Sequence, residues 1–199
     1  MALKRIVLAD TDIIFNLIKF QFFDLLEQLA KYYSWDLYIT YSIENECKDH
    51  LTTSFLKSKI RNKNLKYFEK TSSEIAKSVV ELNKIMTPGA EIELYAIAKC
   101  ENCNILSDDR ENCEVFFKNY TLHRGKLWIY NLYHVLYLAY KAALLTIGQI
   151  DNALTESHKS GIRHLDYRIL NNGFSWYCHE IEKYIDRHID PVDSEKFKI

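Results

Sequence analysis

Proline and glycine are scarce in this chain, 2 and 5 of 199 residues, and no low-complexity linker or internal repeat interrupts it. With abundant Leu, Ile, Ala, Lys and Glu, that scarcity favours many helices joined by short loops. An excess of charge of one sign is also missing, since 26 basic against 27 acidic residues leave a net charge of -1. Such a balance gives no general affinity for nucleic acid or membrane, so any basic binding surface must be local. A long apolar run is absent as well. The longest, Leu127 to Ile147, is cut by Asn131, His134 and Lys141 and reads as a core helix, not a membrane span.

Cysteine is present without a disulfide framework. The opening residues place Lys4 and Arg5 before an apolar run that Asp10 ends, too short for a signal peptide. Five cysteines without such a signal imply a reducing compartment, the cytoplasm. Cys100 and Cys103 form a CxxC that Cys47 and Cys113 could complete as a zinc set. With no second CxxC and no spaced His pair, buried free thiols are the favoured reading.

What is present is core material, with 48% hydrophobic residues in a length that suits one domain. Residues 1–150 read as that domain and 151–199 as a helical extension packed on it. The stretch from Gly89 to Arg110, G-A-E-I-E-L-Y-A-I-A-K-C-E-N-C-N-I-L-S-D-D-R, is one helix-then-strand unit with five acids, four of which stand at its two ends: Glu91 and Glu93, Asp108 and Asp109. At 3.6 residues per turn, Glu91 shares a stripe with Leu94, Tyr95 and Ala98, and Glu93 one with Ala96, Ile97 and Cys100. Both stripes read as buried. Unpaired charge out of water is costly, and no Lys or Arg lies between Glu91 and Ala98. Compensation must come from elsewhere in the fold or from a cation.

Taken in order, Ile6 to Ala9 read as a buried strand that stops at Asp10-Thr11-Asp12, and the apolar spacing then predicts a helix from Ile13 to about Tyr33. Asp36 to Thr40 predict a second strand. Ser42 is a plausible cap for a following helix that carries Glu44, Glu46 and Asp49. Lys57 to Lys66 hold five basic residues and no acid; such a run suits a phosphate backbone or a solvated face equally. Leu65 to Phe68 predict a third strand and Glu74 to Met86 a helix that Pro88-Gly89 breaks. After the strand that ends at Asp108-Asp109 come a helix over Glu111 to Phe117, a fifth strand over Tyr120 to His123, and a turn at Arg124-Gly125-Lys126. A long helix from Trp128 to Leu144, helices near Ile147 to Lys159 and Trp176 to His188, and a loosely ordered tail from Pro191 complete the chain. Strands alternating with helices predict an α/β sheet covered on both faces.

In a parallel sheet with right-handed crossovers, Asp10 and Asp109 emerge at the carboxyl edge, and Glu91 starts the helix before the second of them. Like charges brought together repel unless a divalent ion sits between them, and all-oxygen ligands suit Mg2+ or Mn2+. The chemistry that follows is hydrolysis of a phosphate ester, since such an ion lowers the pKa of water and neutralises phosphoryl charge.

Strand-Asp10-Thr11, Glu46 after I-T-Y-S-I-E-N, the G-A-E-I-E-L-Y-A-I-A segment and I-L-S-D-D-R together resemble the four acidic motifs of the PIN-domain nucleases, over roughly residues 6–112. Beyond Tyr120 the chain is loosely similar to the toxin-like prokaryotic subgroup. The resemblance implies a three-layer α/β/α sandwich with a small parallel sheet, and Asp10, Glu46, Glu91 and Asp109 as the metal-binding catalytic acids. Asp12, Glu93 and Asp108 are possible further ligands. It implies Mg2+- or Mn2+-dependent cleavage of RNA, often a homodimer, and in many relatives a toxin neutralised by a partner protein. Substrate-binding candidates are Lys57, Lys59, Arg61, Lys63, Arg110 and Arg124. Asp12 departs from the family pattern, in which Ser or Asn usually stands two positions after the first aspartate.

Two rival readings follow from the same residues. D-T-D after a first strand also resembles the haloacid-dehalogenase-like phosphatases, whose first aspartate attacks phosphorus. That family, however, wants a hydroxyl residue where this chain has Ile14. A PIN-like fold can also serve as an inactive binding module, against which stands the presence of all four acids.

Overall fold

The computed structural model of the protein describes residues 5–22, 24–119, 129–159 and 167–188. Its elements run β1 (Arg5–Ala9), α1 (Thr11–Lys19), α2 (Leu25–Tyr32), β2 (Trp35–Ile39), α3 (Tyr41–Glu46), α4 (His50–Arg61), β3 (Lys66–Tyr67) and α5 (Ser73–Leu82). They continue as α6 (Glu91–Glu101), β4 (Asn104–Leu106), α7 (Arg110–Asn119), β5 (Ile129–Tyr130), α8 (Leu132–Lys141), α9 (Ile147–Lys159), α10 (Tyr167–Asn172) and α11 (Phe174–His188).

The strands form one all-parallel sheet in the order β3-β2-β1-β4-β5. Parallel strands buried on both faces need apolar residues throughout, and Val7, Leu8, Ala9, Ile105 and Leu106 are all fully buried. On one face α1 meets α4 and α2 meets α8, where the Tyr33 hydroxyl donates to the Leu138 carbonyl at 3.0 Å. On the other, α5 packs on α6, and Tyr95 of α6 meets Phe116 of α7 with ring centroids 5.0 Å apart. The result is the expected α/β/α arrangement. At the C-terminus α9, α10 and α11 pack together, and α11 lies on α8 through Tyr133–Tyr177 and a 3.2 Å hydrogen bond from the Tyr137 hydroxyl to Glu182.

The chain moves from β1 outward to β2 and β3, then crosses back to lay β4 on the other side of β1. That reversal is a topological switch point. The carboxyl ends of β1 and β4 flank the crevice where open α/β sheets bind ligands.

Several sequence expectations are corrected. The helix expected from Ile13 to Tyr33 is two helices, because α1 ends with Gln21 in the left-handed region at φ 62°. Phe22 N donates back to Leu17 O at 2.9 Å and Gln21 N to Ile18 O at 3.0 Å, a paired C-terminal closure that satisfies the last carbonyls. Thr40, not Ser42, caps α3, its hydroxyl accepting from Ile43 N at 3.3 Å. Within the expected 128–144 helix, Ile129-Tyr130 form β5 and Asn131 caps a shorter α8. The strand expected at 120–123, the turn at 124–126 and the tail from 191 lie outside the described residues.

Candidate active site

Asp10 follows β1 and caps α1, with Oδ1 accepting from Thr11 N at 2.6 Å. Its Oδ2 accepts from the Ser107 hydroxyl at 2.8 Å, and Ser107 Oγ in turn accepts from Asp109 N at 3.2 Å. One buried hydroxyl therefore latches the end of β1 to the end of β4. Asp10 is only 5% exposed, and burial pushes its carboxyl up to about 7. Hydrogen bonds from Ser107 and Thr11 oppose that shift, while the charges of Asp12 and Glu91 add to it.

Asp109 immediately precedes α7. Its Oδ1 accepts from Asn112 N at 2.9 Å, in the manner of a helix cap, and its Oδ2 accepts from Asn112 Nδ2 at 2.8 Å. Asn112 is fully buried, and the same amide nitrogen donates to Glu91 Oε1 at 2.9 Å. Asn112 Oδ1 accepts from Thr87 N at 2.8 Å, while a longer bond of 3.3 Å runs from Nδ2 to Thr87 O. A single side chain thus holds two carboxylates and the loop that leads into α6.

Glu91 is the first residue of α6, and Ala90 before it has no side chain to cap the helix. Two carboxylates fill that role instead. Glu46 Oε1 accepts from Ala90 N at 3.0 Å, and the Glu91 carboxylate folds back onto its own backbone N–H. A Cβ on Gly89 would overlap the Glu91 carboxylate, so the absent side chain makes room for it. Burial raises the Glu91 pKa, its own N–H and Asn112 lower it, and the charges of Asp109 and Glu46 raise it further.

Asp10, Glu91 and Asp109 accordingly each stand at a helix N-terminus, where exposed N–H groups and the macrodipole favour negative charge. Together with Thr11, Asp12, Glu46 and Lys48 they line one cleft of about 380 Å³ at the switch point. Among the described residues no ion pair reaches Asp10, Glu46, Glu91 or Asp109. Lys48, an exposed residue of the same lining, places a fixed cation among these acids.

Among the described residues no group of three or more His, Cys, Asp or Glu is drawn close enough to hold a metal ion as it stands. The acids share a cleft rather than a formed coordination shell, with the Asn112 amide bonded to both Glu91 and Asp109. The donor set itself, carboxylate oxygens with raised proton affinity at Asp10 and Glu91, fits Mg2+ or Mn2+.

Other expected ligands stand elsewhere. Asp108 Oδ1 accepts from Leu132 N at 2.8 Å and Oδ2 from Asn16 Nδ2 at 2.9 Å, so it ties α8 to α1 and does not line the cleft. Glu93 is half-buried on α6 outside the lining, its Oε2 without a hydrogen-bond partner among the described residues. The basic run is likewise not part of it. Lys59 pairs with Asp24 at 2.6 Å and with Glu27, while Lys57, Arg61 and Lys63 are exposed near the end of α4, which runs away from its start at Asp49. The Arg110 side chain and Arg124 lie outside the described residues. Cys47 and Cys103 are buried and Cys100 is half-buried, and none of the three is in a disulfide; nothing of the Cys113 side chain is described.

Sequence reasoning missed Ser107, Asn112 and Lys48. For Asn112 a faint signal existed, because D-x-x-N places an amide three residues after a helix-capping aspartate. Comparison with protein-family models, with curated proteins and with solved structures gives no match.

Proposed function

We propose that the chain is a PIN-like, divalent-metal-dependent nuclease that hydrolyses phosphodiester bonds, with RNA the favoured substrate. One observation carries this reading: five carboxylates from four separate parts of the chain line a single cleft at the sheet's switch point, three of them seated on helix N-termini. Asp10, Glu91 and Asp109 would hold Mg2+ or Mn2+, with Asp12 and Glu46 beside them. When bound, such an ion supplies Lewis acidity toward the phosphoryl oxygens and lowers the pKa of water. The chain's own residues do the rest. Ser107 fixes Asp10, Asn112 fixes Glu91 and Asp109, and Lys48 draws a phosphate group toward an otherwise negative cleft. The cytoplasm, a homodimer and the neutralising partner protein belong to the same proposal.

The test offers the purified chain labelled RNA, labelled DNA and a phosphate monoester, each with Mn2+ and with EDTA, beside Asp10→Asn and Asp109→Asn. Mn2+-dependent cleavage of RNA, lost in both variants while their circular dichroism is kept, is the expected result. Turnover of the monoester alone would instead support the phosphatase reading. No turnover of any substrate would leave a binding module.

A further inference from the structure

We infer that the stacked pair Tyr41–Tyr67 is a binding subsite for an unpaired nucleobase next to the acidic cleft, which would make single-stranded nucleic acid the class of substrate. The inference rests on the proposed nuclease reading for the position of the reacting phosphate. Tyr41 opens α3 just beyond the end of β2, and Tyr67 ends β3, whose register pairs it with Ile39. Both rings therefore stand at the carboxyl edge, the edge that bears the cleft.

The two rings lie 4.2 Å apart at 16°, and the half-buried Tyr67 is anchored by its hydroxyl, which donates to Glu44 Oε2 at 2.7 Å. Packing accounts for Tyr67. It does not account for Tyr41, which remains 53% exposed although one of its faces is covered by Tyr67. An aromatic ring held rigid from behind and open in front has the form of a stacking platform, and every base offers a π-face to it. Duplex bases already stack on one another. Only an unpaired base can take this position.

The route from the platform to the cleft runs along α3. Its exposed residues Tyr41, Asn45 and Glu46 span an arc of about 140° at 3.6 residues per turn, and Tyr41 and Glu46 are roughly 7–8 Å apart along the axis. Glu46 and then Lys48 line the cleft. A strand crossing this face would meet the ring first, then the lysine at a phosphate, with the acids beyond.

The test measures binding of a labelled poly(U) RNA strand and a labelled poly(dT) strand to the whole chain in EDTA, so that no cleavage intervenes, with the corresponding duplexes as controls. Tyr41→Ala and Tyr41→Leu, the latter keeping apolar bulk without a ring, are expected to weaken single-strand binding about tenfold. Tyr41→Phe is expected to bind as the wild type, and duplex binding to be equal in all. In Mn2+, KM for the strand rises in Tyr41→Ala by a larger factor than kcat falls. Single-strand binding by Tyr41→Ala and Tyr41→Leu within twofold of the wild type would overturn the subsite, as would equal losses on duplex. Absence of all Mn2+-dependent hydrolysis by the wild type would instead remove the nuclease reading. The binding comparison would still decide the platform.

Discussion

At the scale of single residues, the cleft depends on one neutral side chain, the amide of Asn112. Its Nδ2 bonds Glu91 and Asp109 together, and its Oδ1 holds Thr87 of the loop before α6. Asn112→Leu keeps the volume but strands two carboxylates and a backbone N–H, each of which loses its buried partner. We expect a loss of about 1–3 kcal/mol in chemical denaturation and a fall in Mn2+-dependent cleavage of roughly tenfold or more. Asn112→Asp fails differently. It keeps the acceptor for Thr87 but sets a third carboxylate against Glu91, whose pKa is already raised, so the acidic limb of the rate profile should move to higher pH. The acids of the site were legible in the sequence, because Asp10 and Asp109 end apolar runs and Glu91 opens a buried helix. Asn112, Ser107 and Lys48 were not, for a neutral side chain or an isolated lysine shows its role only when distant partners are in place. Asp108 illustrates the converse, since an acid beside one that lines the cleft was equally eligible by sequence yet serves to fasten α8 to α1.

At the scale of the element, α6 combines a buried body with an N-terminus built from acids. Ile92 and Leu94 to Ala98 are all buried, which its lack of a polar stripe foretold, and Asn102 ends it in the left-handed region at φ 54°. Gly89 before it does not sit at a positive φ, so alanine there carries no backbone strain and reduces the freedom of the unfolded chain. The cost falls on Glu91 instead, whose carboxylate occupies the space of the new methyl group. Gly89→Ala should therefore leave stability within about 1 kcal/mol of the wild type while cleavage drops roughly a hundredfold. Denaturation midpoints and rates measured on one preparation check both halves, and equal activity would show that Glu91 does not need this position. The strands β1, β2 and β4 were legible as short apolar runs, and α9 was found to the residue. Less so were β5, only two residues long, and the break after α1, which uses a glutamine where glycine or asparagine normally gives the signal.

At the scale of the whole molecule, the buried acid couples folding to pH and, on the proposed reading, to divalent ions. In the metal-free protein Asp10 titrates at about 7 when folded, against its ordinary 3.8. The folded state therefore prefers the protonated form. Its contribution to stability is fully present below about pH 4 and is lost as pH rises toward 7, a difference on the order of 4 kcal/mol. Asp10→Asn mimics the neutral carboxyl and removes the titration, so it should unfold at higher temperature than the wild type at pH 8, with the gap closing toward pH 4. Comparing the two proteins cancels the other groups that titrate over this range. A divalent ion reverses the sign, because it binds the ionised carboxylate and only the folded chain gathers the acids into one cleft. Mn2+ should then raise the melting temperature of the wild type, more at pH 8 than at pH 5 where protons compete for Asp10, and should do little for Asp10→Asn at either pH. A wild type that melts at the same temperature with and without Mn2+ at pH 8 would mean that the carboxylates, although assembled at the sheet edge, are not there to hold a cation.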